Sequence, residues 1–364
     1  MSQQHDTIDV VVRRKGSSRS SEELTPTVRQ VVNELIAALT QGGQAVLAAE
    51  TTLEGVLAAV GVGYLAHAHP TRLRLAPQGQ VQLQLGETCV VMPPADDRGV
   101  VRLAARVHAA FARACGEACA TRLTLACACD DPALPQIAHE YLRLGFSVRR
   151  QLYGRVTDPR CTRLNSLARR TLSECEKTWQ FVRFSRLSDG SWASTFEPRA
   201  NTLPLTAQHF ARRMQAERFC IVDPIHHVAA FHHAGGAVSD LLHLDETLAR
   251  TLLTRQRDLS DKEPLVRRLW RGFYRAMELP GRDMSQRGYD LRGSWMPKRL
   301  WKNLTELAPE LPSRESECCP APRQGAKAIA YGSSSHCPPM FLDPRHDCSL
   351  PLPPDGSDEC HQED

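Results

Sequence analysis

Nowhere in this 364-residue chain do apolar residues run for the ~20 positions that a membrane-crossing helix needs. The opening MSQQHDTIDVVVRRKG also lacks the apolar stretch of a secretory signal, so a cytoplasmic protein without membrane contact is expected. The phosphate-binding Gly-x4-Gly-Lys-Ser/Thr loop, the nucleophile elbow and the dinucleotide glycine fingerprint are all missing. So are internal repeats and the Cys-x3-Cys-x2-Cys loop of a radical-SAM enzyme. The residues therefore name no reaction, and whether the chain is an enzyme stays open. Lysine is scarce, occurring only at positions 15, 177, 262, 298, 302 and 327. An arginine bias of that kind can reflect base composition as much as function.

Cysteine, by contrast, is plentiful. Thirteen is an odd count at irregular spacing, which excludes a secreted disulfide framework. Cys115, Cys119, Cys127 and Cys129 could in principle close on zinc or an iron–sulfur cluster, but their spacings fit no standard knuckle. Burial as small apolar residues is the simpler expectation. The pairs His226-His227 and His232-His233 lie near Asp223. Alternation along a strand would send the members of each pair to opposite faces. No metal site and no cofactor are assigned.

Charge is unevenly spread. From Thr305 onward there are 11 acidic and 4 basic residues, so the preceding body carries +11 against a net +4 for the chain. A basic body suits an anionic partner, although an acidic tail also serves solubility.

Periodicity predicts an α+β (mixed α/β) protein of two packed units, with a helix-rich C-terminal half and disordered tails. Residues 1–26 are a polar tail. An α/β unit over 27–150 holds a helix in VRQVVNELIAALTQ, a strand in AVLAA and a helix capped by Thr51 or Thr52. Strands RLRLA and VQLQL, a helix VVRLAARVHAAFARAC, a strand TRLTLACA and a helix PQIAHEYLRLGF follow. The second unit, 151–308, starts with a helix near 155–178 and a hairpin turning at Ser188-Asp189-Gly190. Strands in RFCIVDP and HVAAFHH and helices in TLARTLLTRQRDL, PLVRRLWRGFYRAMEL and PKRLWKNLTEL complete it. Residues 309–364 form a Pro- and Cys-rich acidic tail.

The segment FEPRANTLPLTAQHFARRM, 196–214, has the most chemistry. From Leu205 a helix would gather His209, Arg212 and Arg213 on one face and pack Ala207, Phe210, Ala211 and Met214 on the other. Guanidinium forks suit phosphate oxygens, and an imidazole can donate a hydrogen bond or move a proton. In PLVRRLWRGFYRAMEL, Arg267, Arg271 and Arg275 form a stripe, with Val266, Leu269, Trp270, Phe273 and Met277 expected on the buried side. Ser260 and Glu263 read as a capping box. In PKRLWKNLTEL, Lys298, Arg299 and Lys302 lie opposite Leu300, Leu304 and Leu307. Asp158, Glu174, Glu197 and Asp223 are carboxylates that spacing alone does not pair.

The series TLEGVLAAVGVGY, YLRLGF, VTDPRCTRLNSLARR, FVRF, FEPRANTLPLTAQHFARRM, IVDP, LWRGFYRAMEL and WMPKRLWKNLTEL resembles a bacterial family labelled as DNA metabolism or DNA repair proteins. The resemblance spans about residues 46–308. Members are encoded beside a radical-SAM protein, and some are fused to a uracil-DNA glycosylase-like domain. It implies nucleic acid, DNA above all, and a radical-SAM protein as partners, with a glycosylase-like protein as a further one.

Residues and resemblance together lead to a DNA repair or modification protein. Arg183, Arg212, Arg213, Lys298, Arg299 and Lys302 would contact phosphates, while Asn201 and His209 shape the site. One alternative is an enzyme on a nucleotide or damaged DNA, with His209 as acid–base and Asn201 beside it. Another is an interaction module that delivers a partner and has no nucleic acid affinity of its own.

Overall fold

Short apolar strands alternate with helices through the first half of the chain, and these helices cover a small parallel sheet. The computed structural model describes residues 24–40, 43–236, 239–276 and 296–307. The expected tails, apart from residues 24–26, fall outside these ranges, as do Met277 and the cysteines beyond residue 307. Residues up to Glu306 form one compact unit, and a second begins at Leu307.

The protein is α+β, with two sheets. Helix α1 (Pro26–Thr40) leads into β1 (Gln44–Ala49), which is buried in all but its first residue. Helix α2 (Leu53–Leu65) is capped by Thr52, whose side chain accepts from the Gly55 amide at 3.1 Å. Strands β2 (Leu73–Pro77) and β3 (Glu87–Val91) both pair parallel to β1, giving the order β2-β1-β3. Helices α3 (Arg98–Cys115), α4 (Glu117–Cys127) and α5 (Leu134–Val148) pack into the same core around Phe111, Leu123 and Leu142.

Two expected strands are absent here. TRLTLACA is part of helix α4, where Cys119, Ala120, Leu123, Ala126 and Cys127 are buried at helical spacing. A short apolar run has no period of its own, and its Ala- and Leu-rich composition favours the helix. VQLQL lies outside the sheet with Leu83 and Leu85 exposed, and Glu87–Val91 occupies that place beside β1.

Helix α6 (Pro159–Phe181) starts from Asp158, whose Oδ1 accepts from the Arg160 amide at 3.0 Å. Its first half buries Cys161, Leu164, Leu167 and Ala168 in the N-terminal core. Its second half carries buried Glu174 and Thr178 to helix α7 (Leu203–Arg213), where the Thr178 and Thr202 hydroxyls meet at 2.9 Å. The second sheet runs β4 (Ser185–Arg186), β5 (Trp192–Thr195), β6 (Phe219–Asp223), β7 (Val228–His232) and β8 (Asp240–His243), in that order. Its pairs are antiparallel except β5–β6. The expected hairpin joins β4 to β5, with Gly190 at φ 79°, a conformation that favours glycine. Helix α8 (Glu246–Arg255) packs against β6.

Helix α9 (Glu263–Ala276) departs from the expected packing, except at Trp270, which is half-buried. Leu265, Val266, Leu269 and Phe273 are exposed, Leu269 to 65%. Its polar side is what docks: Arg267, held by Glu263 of the same helix at 3.0 Å, donates to the Ser185 hydroxyl at 2.6 Å. Arg271 donates to the Thr305 carbonyl at 2.8 Å, and the Trp270 indole N–H to Glu306 at 3.1 Å. The helical wheel located the two faces but could not say which one meets protein. No capping box forms either. Glu263 accepts instead from the Arg186 amide and from Arg267, and the Ser260 hydroxyl has no partner among the described residues. The expected third basic helix is a short 3-10 helix, Lys298–Asn303, anchored by buried Leu300 and Leu304.

Candidate nucleic-acid interface

Five segments distant in sequence meet around one open pocket of ≈ 620 Å³. Arg199 and Glu197 come from the loop before α7, and Lys298, Arg299 and Lys302 from the 3-10 turn. Asp130 follows α4, and Arg170 projects from α6. Pro198 and Ile225 supply hydrocarbon to the lining. The loops are held in register by a β-bridge between Cys129 and Ala200 and by the Asn201 amide donating to the Ala128 carbonyl at 2.8 Å. Asn201 thus positions the loop through its backbone, while its buried side-chain Oδ1 has no hydrogen-bond partner among the described residues.

The cations here fall into two groups. Arg299 is fixed: its Nη2 donates to both oxygens of Glu174, at 2.8 and 2.6 Å, and its Nη1 to the Glu197 carbonyl at 3.0 Å. Glu174 also receives Lys177 and the Arg199 amide. Burial pushes the Glu174 carboxyl upward, but these donors outweigh it and leave its pKa lowered. Lys298 and the Arg199 side chain are exposed and have no partner among the described residues. Lys302 reaches Glu197 at 2.6 Å in a solvent-exposed pair, and Arg170 likewise reaches Asp131 at 2.6 Å. Exposed pairs of this kind contribute only about 0–1 kcal/mol, so an incoming anion can displace them.

Beside the pocket a histidine joins two carboxylates. His226 Nδ1 lies 2.6 Å from the buried Asp223, and its Nε2 lies 2.9 Å from Asp130. Asp223 also accepts from the amides of Ile225 and His226, which fixes the β6–β7 turn. Burial lowers the His226 pKa, but hydrogen bonds to Asp130 and Asp223 outweigh this and raise it to about 9. The imidazole is therefore protonated at neutral pH and holds Asp130 at the pocket wall. A pKa raised by folding stabilises the fold fully below the unfolded value of ~6.5, and that contribution is lost as pH climbs through 9. Stability from chemical denaturation should accordingly decline across this window, and the decline should be absent from His226→Gln.

Other nominated residues lie elsewhere. Arg183 pairs at 2.9 Å with Glu306, whose side chain is almost completely buried, so it serves the scaffold. The predicted amphipathic helix forms as α7, with His209, Arg212 and Arg213 exposed and Phe210 and Ala211 buried. None of the three lines the pocket. The His209 ring packs against Trp179 at a centroid distance of 5.6 Å.

Among the described residues no group of three or more His, Cys, Asp or Glu side chains could hold a metal ion. Cys115, Cys119, Cys127 and Cys129 are buried, and burial raises all four thiols, Cys115 and Cys127 to about 12. His232 is buried and stacks on Phe219, whereas His233 is exposed, the opposite-face arrangement expected of a strand.

Sequence reasoning missed Asp130, Arg170, Arg199 and the role of His226. Arg199 was in view inside the quoted segment, but nothing in the spacing showed that Asp130 comes to meet it.

No curated protein matches the chain. Among solved structures it is similar to one described as a member of the s1p family of ribosomal proteins, DHH domain, at 10% identity and a TM-score of 0.31. That match covers 70% of this chain and 97% of the other, and a score this low carries no argument. Residues 132–306, from α5 to the end of the first compact unit, match the model of a family described as a domain of unknown function, DUF4130.

Proposed function

We propose that the pocket binds phosphates of nucleic acid, DNA first, and that the protein works in DNA repair or modification in the cytoplasm beside a radical-SAM partner. The observation that carries the binding part is the convergence of Arg170, Arg199, Lys298, Arg299 and Lys302 on one open pocket. The scaffold pair Arg299–Glu174 sets the loop and the turn at a fixed spacing, while Arg199, Lys298 and Lys302 supply exchangeable positive charge. The repair role and the partner rest on the resemblance of the sequence alone.

Single-stranded binding that neutralises Z phosphates weakens with salt at a slope of about −0.7Z in log–log form. Three exchangeable cations give a slope of about −2 for a short single-stranded DNA, read by fluorescence anisotropy across a salt series. Absence of salt-dependent binding would remove this reading. Nuclease treatment during co-purification separates a partner held through nucleic acid from one held directly.

A further inference from the structure

We infer that the pocket accommodates one whole nucleotide of a single strand, base and phosphate together, rather than a run of backbone phosphates. This rests on the phosphate-binding reading above and goes further by naming what lies beside the phosphate.

The sign of the lining is the first argument. A surface that follows a phosphate backbone gains affinity from cations, and every carboxylate on it repels the ligand. Here Asp130 and Glu197 stand on the pocket wall among the cations. A carboxylate accepts hydrogen bonds and offers none, so these two suit a ligand that brings N–H or O–H donors as well as a phosphate. Nucleobase amino groups are such donors, and the cytosine N4 amino group pairs with Asp or Glu in known modes of recognition.

The second argument is that Asp130 is held in place. His226 fixes it at 2.9 Å and is itself fixed at 2.6 Å by Asp223, which is 0% exposed. A chain running from a buried carboxylate to a pocket wall keeps the acceptor's direction constant, as recognition of a donor requires.

Size and hydrocarbon agree with this. The pocket volume of ≈ 620 Å³ falls within the ~300–1,000 Å³ usual for small-molecule sites. Ile225 adjoins His226 in sequence and is largely exposed, so it offers an apolar surface to a base face beside Asp130. In this proposal Lys298 and Arg199 take the phosphate, and Asp130 with Ile225 takes the base.

The test uses the full chain and three labelled ten-residue single strands: oligo-dC, oligo-dT, and the same backbone with abasic units. Base contacts of this kind should make oligo-dC bind roughly tenfold tighter than the abasic strand. Oligo-dT, lacking the amino group, should fall between them. Asp130→Ala should tighten the abasic strand and collapse the preference for dC, and Glu197→Ala should act in the same direction. Lys298→Ala should weaken all three strands by a common factor. Equal affinity of the unmutated protein for the base-bearing and abasic strands overturns the nucleotide proposal but leaves phosphate binding standing. Failure to bind any of them removes both.

Discussion

Replacing Arg299 by alanine is expected to lower folding stability by about 3 kcal/mol, because it strands a buried carboxylate. Glu174 is only 6% exposed and takes two contacts from this guanidinium. Removing one partner of a buried pair typically costs about 3–5 kcal/mol. The lower end applies because Lys177, at 2.8 Å, and the Arg199 amide, at 2.9 Å, remain. A carboxyl lowered by folding stabilises above its unfolded pKa and loses that contribution as pH falls through the folded value. Without Arg299 the Glu174 pKa rises, so acid unfolding should begin at a higher pH. Denaturant titration at neutral and mildly acidic pH measures both effects. The double variant Arg299→Met/Glu174→Leu should recover most of the loss, since apolar replacement of a buried pair is often neutral or stabilising.

The double variant Arg199→Ala/Lys298→Ala should weaken binding of single-stranded DNA about 100-fold at low salt, with the melting temperature unchanged. Each side chain contributes one charge-assisted hydrogen bond of ~1.5 kcal/mol, and two together correspond to about two powers of ten. The salt slope should fall by about 1.4, twice the single-strand value per phosphate. Stability is spared because both side chains are exposed and unpartnered among the described residues, and the Arg199 amide keeps its bond to Glu174. A pair of substitutions that leaves affinity and slope intact would place the binding surface elsewhere.

The contrast between these variants follows from what a sequence can and cannot show. Apolar spacing located α7 with its exposed His209 face and most strands of the second sheet, because one element carries that signal by itself. Lys298, Arg299 and Lys302 were legible as a basic cluster for the same reason. That Arg299 is tied to Glu174, 125 residues away, while Lys298 has no partner among the described residues is not legible, since nothing local distinguishes neighbouring cations. His226 looked like half of a histidine pair, and only the fold brings Asp130 against it from 96 residues away. Helix α4 differs from the expected strand because a short apolar run is compatible with either period, and α9 differs because amphipathicity does not say which side has a neighbour.

The packing of α9 also determines how that helix would come loose. Its seam consists of Arg267, Trp270 and Arg271 bonded to oxygen atoms, and Leu265, Val266, Leu269 and Phe273 already face water. Peeling it away would wet little new apolar area, and so would carry almost no increment in heat capacity. Cooling, which changes the strength of hydrocarbon burial, would have little grip on this step, while dissolved ions that compete for guanidinium and carboxylate would ease it.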